Sequence, residues 1–328
     1  MTLYDSYQRP IDYLRVSVTD RCNLRCVYCM PPEGVPWRDH SEVLTFEEIV
    51  QVVRVAAELG IRKVRLTGGE PLVRRGIVRL VAQLAAIPGI EDLSMTTNGT
   101  LLASMARDLA EAGLQRVNIS LDSLDPQRFA LLTRGGSLDD VRAGIEAATR
   151  AGLHPVKINT VVIRSWNDDE VVPFAEMARR EGWHVRFIEF MPVGRSALWT
   201  PQSFVPAEEI RARIENALGP LLSEEAPRGA GPARYYRFSE GTGTIGLIPA
   251  VSEHFCSGCN RLRLSADGRL RPCLLCDQEI DLRSVLRNGG PPSAIRERLV
   301  QAIRNKPQGH GLAKGSFPHG RTMSEIGG

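Results

Sequence analysis

The chain has 328 residues, which is enough for one large α/β domain or two smaller ones with a substantial core. Its composition, 43% hydrophobic and 24% charged, is typical of a globular protein, and a net charge of +3 is too small to predict a nucleic-acid partner. Because no apolar run approaches ~18 residues and the start, MTLYDSYQRP, lacks the apolar stretch of a signal peptide, we expect a cytoplasmic protein with no membrane partner.

From residue 11 to about residue 190, short β-branched runs alternate with amphipathic helical stretches. One such stretch has capping-box spacing at Thr45 and Glu48 and a terminating glycine at Gly60. Five helices between six strands predict parallel βαβ units, which form a partial (β/α)6 TIM-type barrel and not a closed eight-unit one. The predicted strands are Leu14–Val18, Lys63–Leu66, Leu93–Thr96, Arg116–Leu121, Val156–Ile163 and Val185–Phe190.

A first cysteine triad, Cys22, Cys26 and Cys29, follows the first predicted strand with the spacing C-x3-C-x2-C. The loop after a strand lies at the catalytic face of a parallel barrel. Thiolates are the usual ligands of a [4Fe–4S] cluster, and three of them leave one iron open for a reacting cofactor. A structural zinc site is the alternative, although zinc normally needs a fourth ligand and the candidate, His40, is distant in a polar loop.

A glycine-rich turn, Gly68-Gly69-Glu70-Pro71, follows the second predicted strand. Glycines let a backbone approach a bound ligand closely. Taken alone, the sequence GGEP is just as typical of a plain turn. The turn follows the second predicted strand, and the first triad follows the first. Both are therefore expected at the same face of the barrel and in the same site.

After Phe190 the alternation stops, and we predict a boundary between residues 1–190 and an α+β extension over residues 191–328. The extension has a predicted helix, PAEEIRARIENAL, and a predicted hairpin with its turn at Gly241–Gly243. A last helix is predicted over Pro292–Asn305. The chain ends in Gly327-Gly328, which is typical of a frayed terminus.

A second triad, Cys256, Cys259 and Cys273, has the spacing C-x2-C-x13-C, with a predicted hairpin in the long gap. Cys276 extends the pattern to C-x2-C…C-x2-C, which is also typical of a zinc ribbon. If Cys276 is a fourth ligand, the site is structural. If it is not, one metal position is open to a substrate, and the local sequence does not decide between these readings.

Together these motifs resemble the radical SAM superfamily and, within it, the MoaA family, the GTP 3′,8-cyclases of molybdenum cofactor biosynthesis. The resembling segments run in order from Arg15 to the C-terminus. They are C-x3-C-x-Y-C, KVRLTGGEP, TTNG, VNISLDS, KINTVVI, FIEFMPVG, FC-x2-CNRLRL, the third distal cysteine and the terminal Gly-Gly.

The resemblance implies two [4Fe–4S] clusters. The first triad would hold the cluster that binds S-adenosylmethionine, and the second triad would hold a cluster in the extension whose open iron binds the guanine of GTP. Cys276 is a departure that leaves the second ligand set in doubt. The resemblance places cofactor contacts at Tyr28, Gly69, Glu70, Ser120 and Met191. It implies that the GGEP turn binds the methionine part of the cofactor and that Glu70 receives its ammonium group.

Basic residues on the predicted barrel strands are unusual, since apolar residues are the rule there. Arginine binds phosphate bidentately, and burying a triphosphate requires several cations. A conventional GTPase is not expected, because the chain has no G-x4-GK[ST] loop. The resemblance implies GTP contacts at Arg15, Arg65, Thr96, Lys157, Arg261 and Arg263, with Lys63 and Arg186 as secondary candidates.

The implied reaction is the radical cyclisation of GTP to (8S)-3′,8-cyclo-7,8-dihydroguanosine 5′-triphosphate by a lyase. An adenosyl radical would take hydrogen from C3′, C3′ would then attack C8, and reduction of that adduct, with the second cluster as a candidate helper, would give the product. Gly327 and Gly328 are implied to be catalytic, on a tail that enters the site. The implied partners are an electron donor and the cyclic pyranopterin monophosphate synthase, and a homodimer is compatible with the sequence.

Two alternatives remain. One is a peptide-modifying radical SAM enzyme with an auxiliary cluster, although such enzymes usually have more distal cysteines and a peptide-binding region near the N-terminus. The other is a non-catalytic zinc or nucleic-acid binding protein. Iron content separates the second alternative from the enzyme.

Overall fold

The computed structural model describes residues 3–36, 38–193, 198–227, 231–312 and 320–327. Six parallel strands, joined in chain order, form the centre of its sheet. Every strand end lies within one residue of its predicted position. The strands are β1 (Tyr13–Ser17), β2 (Lys63–Thr67), β3 (Asp92–Thr97), β4 (Arg116–Ser120), β5 (Lys157–Val162) and β6 (His184–Glu189).

The connections between these strands carry six α-helices in the described part of the chain, where five were predicted. The prediction was wrong at the β4–β5 connection, which holds two helices. There the first helix ends at Thr133, Arg134 follows in a left-handed conformation before Gly135, and Ser137 caps the second helix. The helices are α1 (Phe46–Glu58), α2 (Ile77–Ala85), α3 (Ala106–Glu111), α4 (Pro126–Thr133), α5 (Leu138–Arg150) and α6 (Val171–Glu181).

Helix α1 forms as its sequence predicts. The hydroxyl of Thr45 accepts from the Glu48 N–H at 3.1 Å, and the Glu48 carboxylate accepts from the Thr45 N–H at 2.7 Å. Ile49, Val52 and Val53 recur on one face and are fully buried in the core shared with the strands. The helices therefore cover the sheet through their apolar faces.

Beyond residue 190 the chain adds a helix, six strands and three further helices in the described ranges. The predicted helices and hairpin are present, whereas β7, β12, α8 and α10 are short and had no clear periodic signal. The elements are α7 (Ala207–Leu218), β7 (Leu222–Glu224), β8 (Arg234–Arg237), β9 (Thr244–Ile248), β10 (Arg261–Leu264), β11 (Arg269–Arg271), β12 (Ile280–Asp281), α8 (Arg283–Arg287), α9 (Pro292–Arg304) and α10 (Met323–Ile326).

The strands of both parts of the chain join one twelve-stranded sheet, in the order β12-β11-β10-β1-β2-β3-β4-β5-β6-β9-β8-β7. Strand β10 runs parallel beside β1, and β9 runs parallel beside β6. The extension thus lengthens the barrel sheet at both edges, and the boundary at residue 190 stays a prediction. Across the described ranges, every helix is too short or too polar to cross a membrane.

Candidate functional site

Both cysteine triads lie in the wall of a cavity of about 290 Å³. The first triad lies in the loop after β1, and the second lies around the start of β10, which pairs with β1. Because β10 runs parallel to β1, the first triad lies beyond the carboxyl end of this strand pair and the second lies at its amino end, so the two triads face the cavity from opposite ends. Cys276 is not part of the wall, and its carbonyl oxygen accepts from Arg271 at 2.6 Å.

The Gly68-Gly69 turn holds the loop that carries the first triad. The N–H of Gly69 donates to the Thr19 carbonyl at 2.8 Å, and the N–H of Glu70 donates to the Arg21 carbonyl at 2.8 Å. A Cβ atom at Gly68 would lie 2.5 Å from the Thr19 carbonyl oxygen. Because only glycine permits this approach, the turn fixes the loop immediately before the first triad.

Glu70 is 1% exposed, and protein donors surround its carboxylate. It accepts from the Leu72 N–H at 3.0 Å, the Thr97 hydroxyl at 2.8 Å and the Asn98 N–H at 2.6 Å. Burial raises the pKa of Glu70 to about 7 although these donors oppose the shift. In this structure Glu70 orients Asn98, whose Nδ2 lies 3.8 Å from the Cys22 sulfur, and its contact with an ammonium group stays a prediction.

Asp122 is a site residue that the sequence reasoning missed, although the SLDS segment containing it was singled out. Its carboxylate accepts from the Tyr28 hydroxyl at 2.6 Å and from the Val161 N–H at 2.8 Å. Burial raises the pKa of Asp122 to about 6. Tyr28 is thereby fixed in the cavity wall, which the predicted cofactor residues Ser120 and Met191 also line.

Three arginines lie in register across neighbouring strands. Arg15 of β1 pairs with Arg65 of β2 on one side and with Arg263 of β10 on the other. Residues in register share one face of a sheet, and these three line the cavity. We call them the arginine row. The predicted contacts Thr96, Arg186 and Arg261 line the same wall.

The arginine row is buried, since each of its members is 8% exposed or less. Burial, with repulsion from Arg263, lowers the pKa of Arg15 well below its ordinary value. Burial and the charges of neighbouring arginines lower the pKa of Arg65 to about 10 and that of Arg263 to about 9. A bound anion would relieve this repulsion, so the row has the electrostatics of a phosphate site.

The two lysines predicted to contact GTP are not among the residues that line the cavity. Lys157, at the start of β5, is fully buried outside the cavity wall, and its Nζ donates to the Pro227 carbonyl at 3.2 Å. Lys63, at the start of β2, pairs with Asp12 at 2.8 Å and its side chain is 33% exposed. Lys63 lies at the end of the sheet that carries the second triad, and its contact with GTP stays a prediction.

The C-terminal tail reaches the cavity, where Met323 and Ser324 of α10 form part of the wall. The Gly327 carbonyl accepts from Arg263 at 2.8 Å. Gly327 has a φ of +77°, and a Cβ atom there would lie 2.5 Å from the Thr67 hydroxyl. Gly328, the other predicted catalytic glycine, lies outside the described residues.

The charged neighbours of the two triads differ. Burial raises the pKa of Cys22 to about 11, and the negative charge of Glu70 contributes. In the second triad, burial also disfavours the thiolate of Cys259, but Arg261 and Lys306 outweigh it and lower the pKa to about 6. Lys306 was not predicted, because a lysine after a helix is usually a solvated charge.

Residues 16–178 match the family model described as Radical SAM superfamily, and residues 183–312 match the one described as Molybdenum Cofactor Synthesis C. The chain is 53% identical, over 99% of its length and 100% of the relative, to a protein of Pelotomaculum thermopropionicum named GTP 3′,8-cyclase. A protein of Desulforamulus reducens with the same name is 51% identical over 99% of this chain and 100% of its own length.

Solved structures with low identity share the fold. Streptococcus suis SuiB bound to S-adenosylmethionine is 14% identical and has a TM-score of 0.60, over 88% of this chain and 69% of SuiB. Native anSMEcpe with bound AdoMet is 16% identical and has a TM-score of 0.56, over 96% of this chain and 87% of that protein. The predicted fold class is confirmed by these likenesses and by the sheet.

Proposed function

We propose, from the premise that this chain belongs to the GTP 3′,8-cyclase family of radical SAM enzymes, that it converts GTP to 3′,8-cyclo-7,8-dihydro-GTP. It is a lyase that acts early in molybdenum cofactor biosynthesis. The observation that carries the proposal is one cavity whose wall contains both cysteine triads and, beside them, the arginine row. GTP has a base at one end and a triphosphate at the other, so the second triad can hold the base while the arginine row holds the triphosphate.

The enzyme uses two [4Fe–4S] clusters and S-adenosylmethionine, and the donor set suits them. Each triad supplies three soft thiolate ligands, the number that leaves one iron of a cluster open. When bound, the first cluster would supply one electron for the cleavage of S-adenosylmethionine, so that its carbon fragment could take the C3′ hydrogen of GTP and C3′ could join C8. A second electron and a proton would then complete the dihydro product. We assign the first triad to this cluster and the second triad to the other.

The residues of the chain bind GTP and the cofactor and orient them in the cavity. The arginine row neutralises the triphosphate, and Arg261 extends its charge toward the second triad. Because Arg263 also donates to the Gly327 carbonyl, the tail is tied to the row that binds phosphate. Tyr28, held by Asp122, and Gly69 shape the cofactor side of the cavity. Fixing both ends of GTP leaves its ribose little freedom, which lowers the entropic barrier to hydrogen transfer.

The finer predicted partners remain part of this proposal. An electron donor must supply one electron to the first cluster for each cleavage. The cyclic pyranopterin monophosphate synthase would consume the product. A cytoplasmic location agrees with cysteines used as cluster ligands and not as disulfides.

The test is turnover by the anaerobically reconstituted protein. We expect a brown protein with about eight irons per chain, which consumes GTP and releases 5′-deoxyadenosine when it is given S-adenosylmethionine and dithionite. Arg263→Ala should lose GTP consumption, whereas the exposed Arg304→Ala on α9 should keep it. A protein with eight irons that leaves GTP intact would refute the proposed substrate, and a colourless zinc protein would support the non-catalytic alternative.

A further inference from the structure

Lys306 joins two segments of the second triad. It lies just after α9, is 4% exposed and lines the cavity. Its Nζ donates to the Arg261 carbonyl at 2.8 Å and to the Pro272 carbonyl at 2.8 Å. Arg261 lies two residues after Cys259, and Pro272 directly precedes Cys273. One ammonium group therefore cross-links the chain segments that carry two of the three cysteines.

The segment that follows Lys306 is tied to the third cysteine. Arg9 donates through Nη1 to the Cys256 carbonyl at 2.7 Å and to the Gln308 carbonyl at 3.0 Å. Its Nη2 donates to the Pro307 carbonyl at 2.6 Å, and Asp5 accepts from its Nε at 2.6 Å. All three cysteine-bearing segments thus converge on residues 306–308.

The position of Lys306 also sets the local charge. Its ammonium group is buried between the segments that carry Cys259 and Cys273. The first triad has carboxylate neighbours instead. The Asp122 carboxylate accepts from Tyr28, the residue before Cys29, and Glu70 accepts from the N–H of Asn98, whose Nδ2 lies 3.8 Å from the Cys22 sulfur. The two triads therefore differ in the sign of the charged groups beside them.

We propose that Lys306 is a positioning residue of the second triad, which holds its cysteines in place and raises the reduction potential of the cluster they bind. Reduction adds negative charge to a cluster, and a buried cation close to its thiolates stabilises that charge. The two carbonyl contacts fix the ammonium group, so little reorganisation accompanies the change in charge. This inference rests on the proposed function, in which the second triad holds a [4Fe–4S] cluster.

Three substitutions separate the charge of Lys306 from its hydrogen bonds. Lys306→Met removes both, Lys306→Gln keeps a donor without charge, and Lys306→Arg keeps both. Arg304→Met is the matched control, since it removes a positive charge from an exposed residue that lies two positions before Lys306. The measurements are iron per chain and a dithionite redox titration of each cluster followed by electron paramagnetic resonance.

We expect Lys306→Gln to keep its iron and to shift the midpoint potential of the second cluster to a more negative value. Lys306→Met should show the same shift or lose iron from the second site alone. Lys306→Arg should restore the wild-type values. The first cluster should keep its potential in every variant, because Lys306 neighbours the second triad.

Wild-type iron and wild-type potentials in both Lys306→Met and Lys306→Gln would overturn the inference. So would equal damage in Lys306→Arg and Lys306→Met, or an equal shift in the Arg304→Met control. The proposed function fails in a different way: a wild-type chain with about four irons would have no second cluster, whatever residue 306 does.

Discussion

The two cysteine triads of this molecule are built by different means. The first lies in one short loop after β1, and the Gly68-Gly69 turn of the next strand holds that loop. The second spans a hairpin and depends on residues 306–308 and on Arg9 from the N-terminal segment. A triad within one loop can be recognised from its spacing alone, whereas a triad assembled from distant segments needs supports that its own motif does not reveal.

The surroundings of the triads differ in charge as well as in construction. Asp122 and Glu70 lie by the first triad, and Arg261 and Lys306 lie by the second. Negative neighbours make a reduced cluster a stronger electron donor, and positive neighbours make it a weaker one. The difference suits a first site that reduces a cofactor and a second that holds a substrate.

The largest effect is expected when single cysteines of the two triads are replaced. Cys26→Ala and Cys259→Ala should each lose about four irons per chain, because we assign one cluster to each triad. Both variants should have no measurable GTP turnover in the anaerobic assay. Cys276→Ala is the matched control and should keep about eight irons and its turnover. Loss of four irons from Cys276→Ala would make it a ligand and would contradict the open position of the second site.

The next largest effect is expected in the C-terminal tail, where the Gly327 carbonyl accepts from Arg263 of the arginine row. Gly327→Ala should lower GTP turnover by about 100-fold, since a displacement of about 1 Å can have that effect on a positioned group. The reason is the space beside Gly327, where a Cβ atom would lie 2.5 Å from the Thr67 hydroxyl at a φ of +77°. Product formation and iron content are the measurements.

Gly289→Ala is a matched control for this substitution. Gly289 has a φ of +68°, so it has the same backbone strain, but nothing lies within 4 Å of its Cβ position. Equal losses of turnover in the two variants would show that strain alone, and not the place of the tail in the cavity, explains the effect.

A smaller effect is expected at Arg9. Arg9→Lys keeps the charge but cannot make all the contacts to the Cys256, Pro307 and Gln308 carbonyls. Loss of one charge-assisted hydrogen bond costs about 1.5 kcal/mol, so iron should leave the second cluster about ten times faster in a chelator assay. The first cluster should be unaffected, and so should the exposed control Arg304→Lys. Equal loss from both clusters would show that Arg9 stabilises the whole fold and not the second triad.

The smallest effect concerns the pH dependence of GTP binding. Burial, aided by Arg186, Arg116 and Arg65, lowers the pKa of Lys157 to about 6 from an ordinary value of 10.5. Between these values the unfolded chain holds a proton that the folded one lacks, so this lysine makes the free energy of unfolding rise with pH across the window. Although Lys157 lies outside the cavity wall, Arg65 and Arg186 line it, so a triphosphate bound there should offset their charge and oppose the shift.

GTP binding at pH 8 should then take up about one proton, and affinity should fall as the pH rises. Calorimetry in two buffers of different ionisation enthalpy measures this uptake. Lys157→Met should abolish it, whereas Lys63→Met, which removes a lysine that is already paired with Asp12, should leave it unchanged. Identical uptake in Lys157→Met and the wild type would remove Lys157 from the substrate site.

Local sequence patterns were enough to predict much of the secondary structure of this protein. The alternation of strand and helix signals placed all six barrel strands, because periodicity is a property of a segment and its own burial. Helix α1 was readable for the same reason, since Thr45 and Glu48 cap it through bonds three residues apart. The β4–β5 connection was misread because the βαβ pattern favours one helix for each crossover, although Gly135 and the capping residue Ser137 mark a break between two helices there.

The sequence by itself determined the family, both cysteine triads and most of the basic residues, because spacing and residue type are local properties. Only the tertiary structure decided that β10 lies beside β1, which puts Arg263, Arg15 and Arg65 in one row. It also decided that Glu70 and Asp122 serve as buried hydrogen-bond acceptors and that Lys306 lies between cysteine segments. The physical reason is that strand register, burial and the sign of a neighbouring charge depend on residues far apart in the chain, which no local pattern encodes.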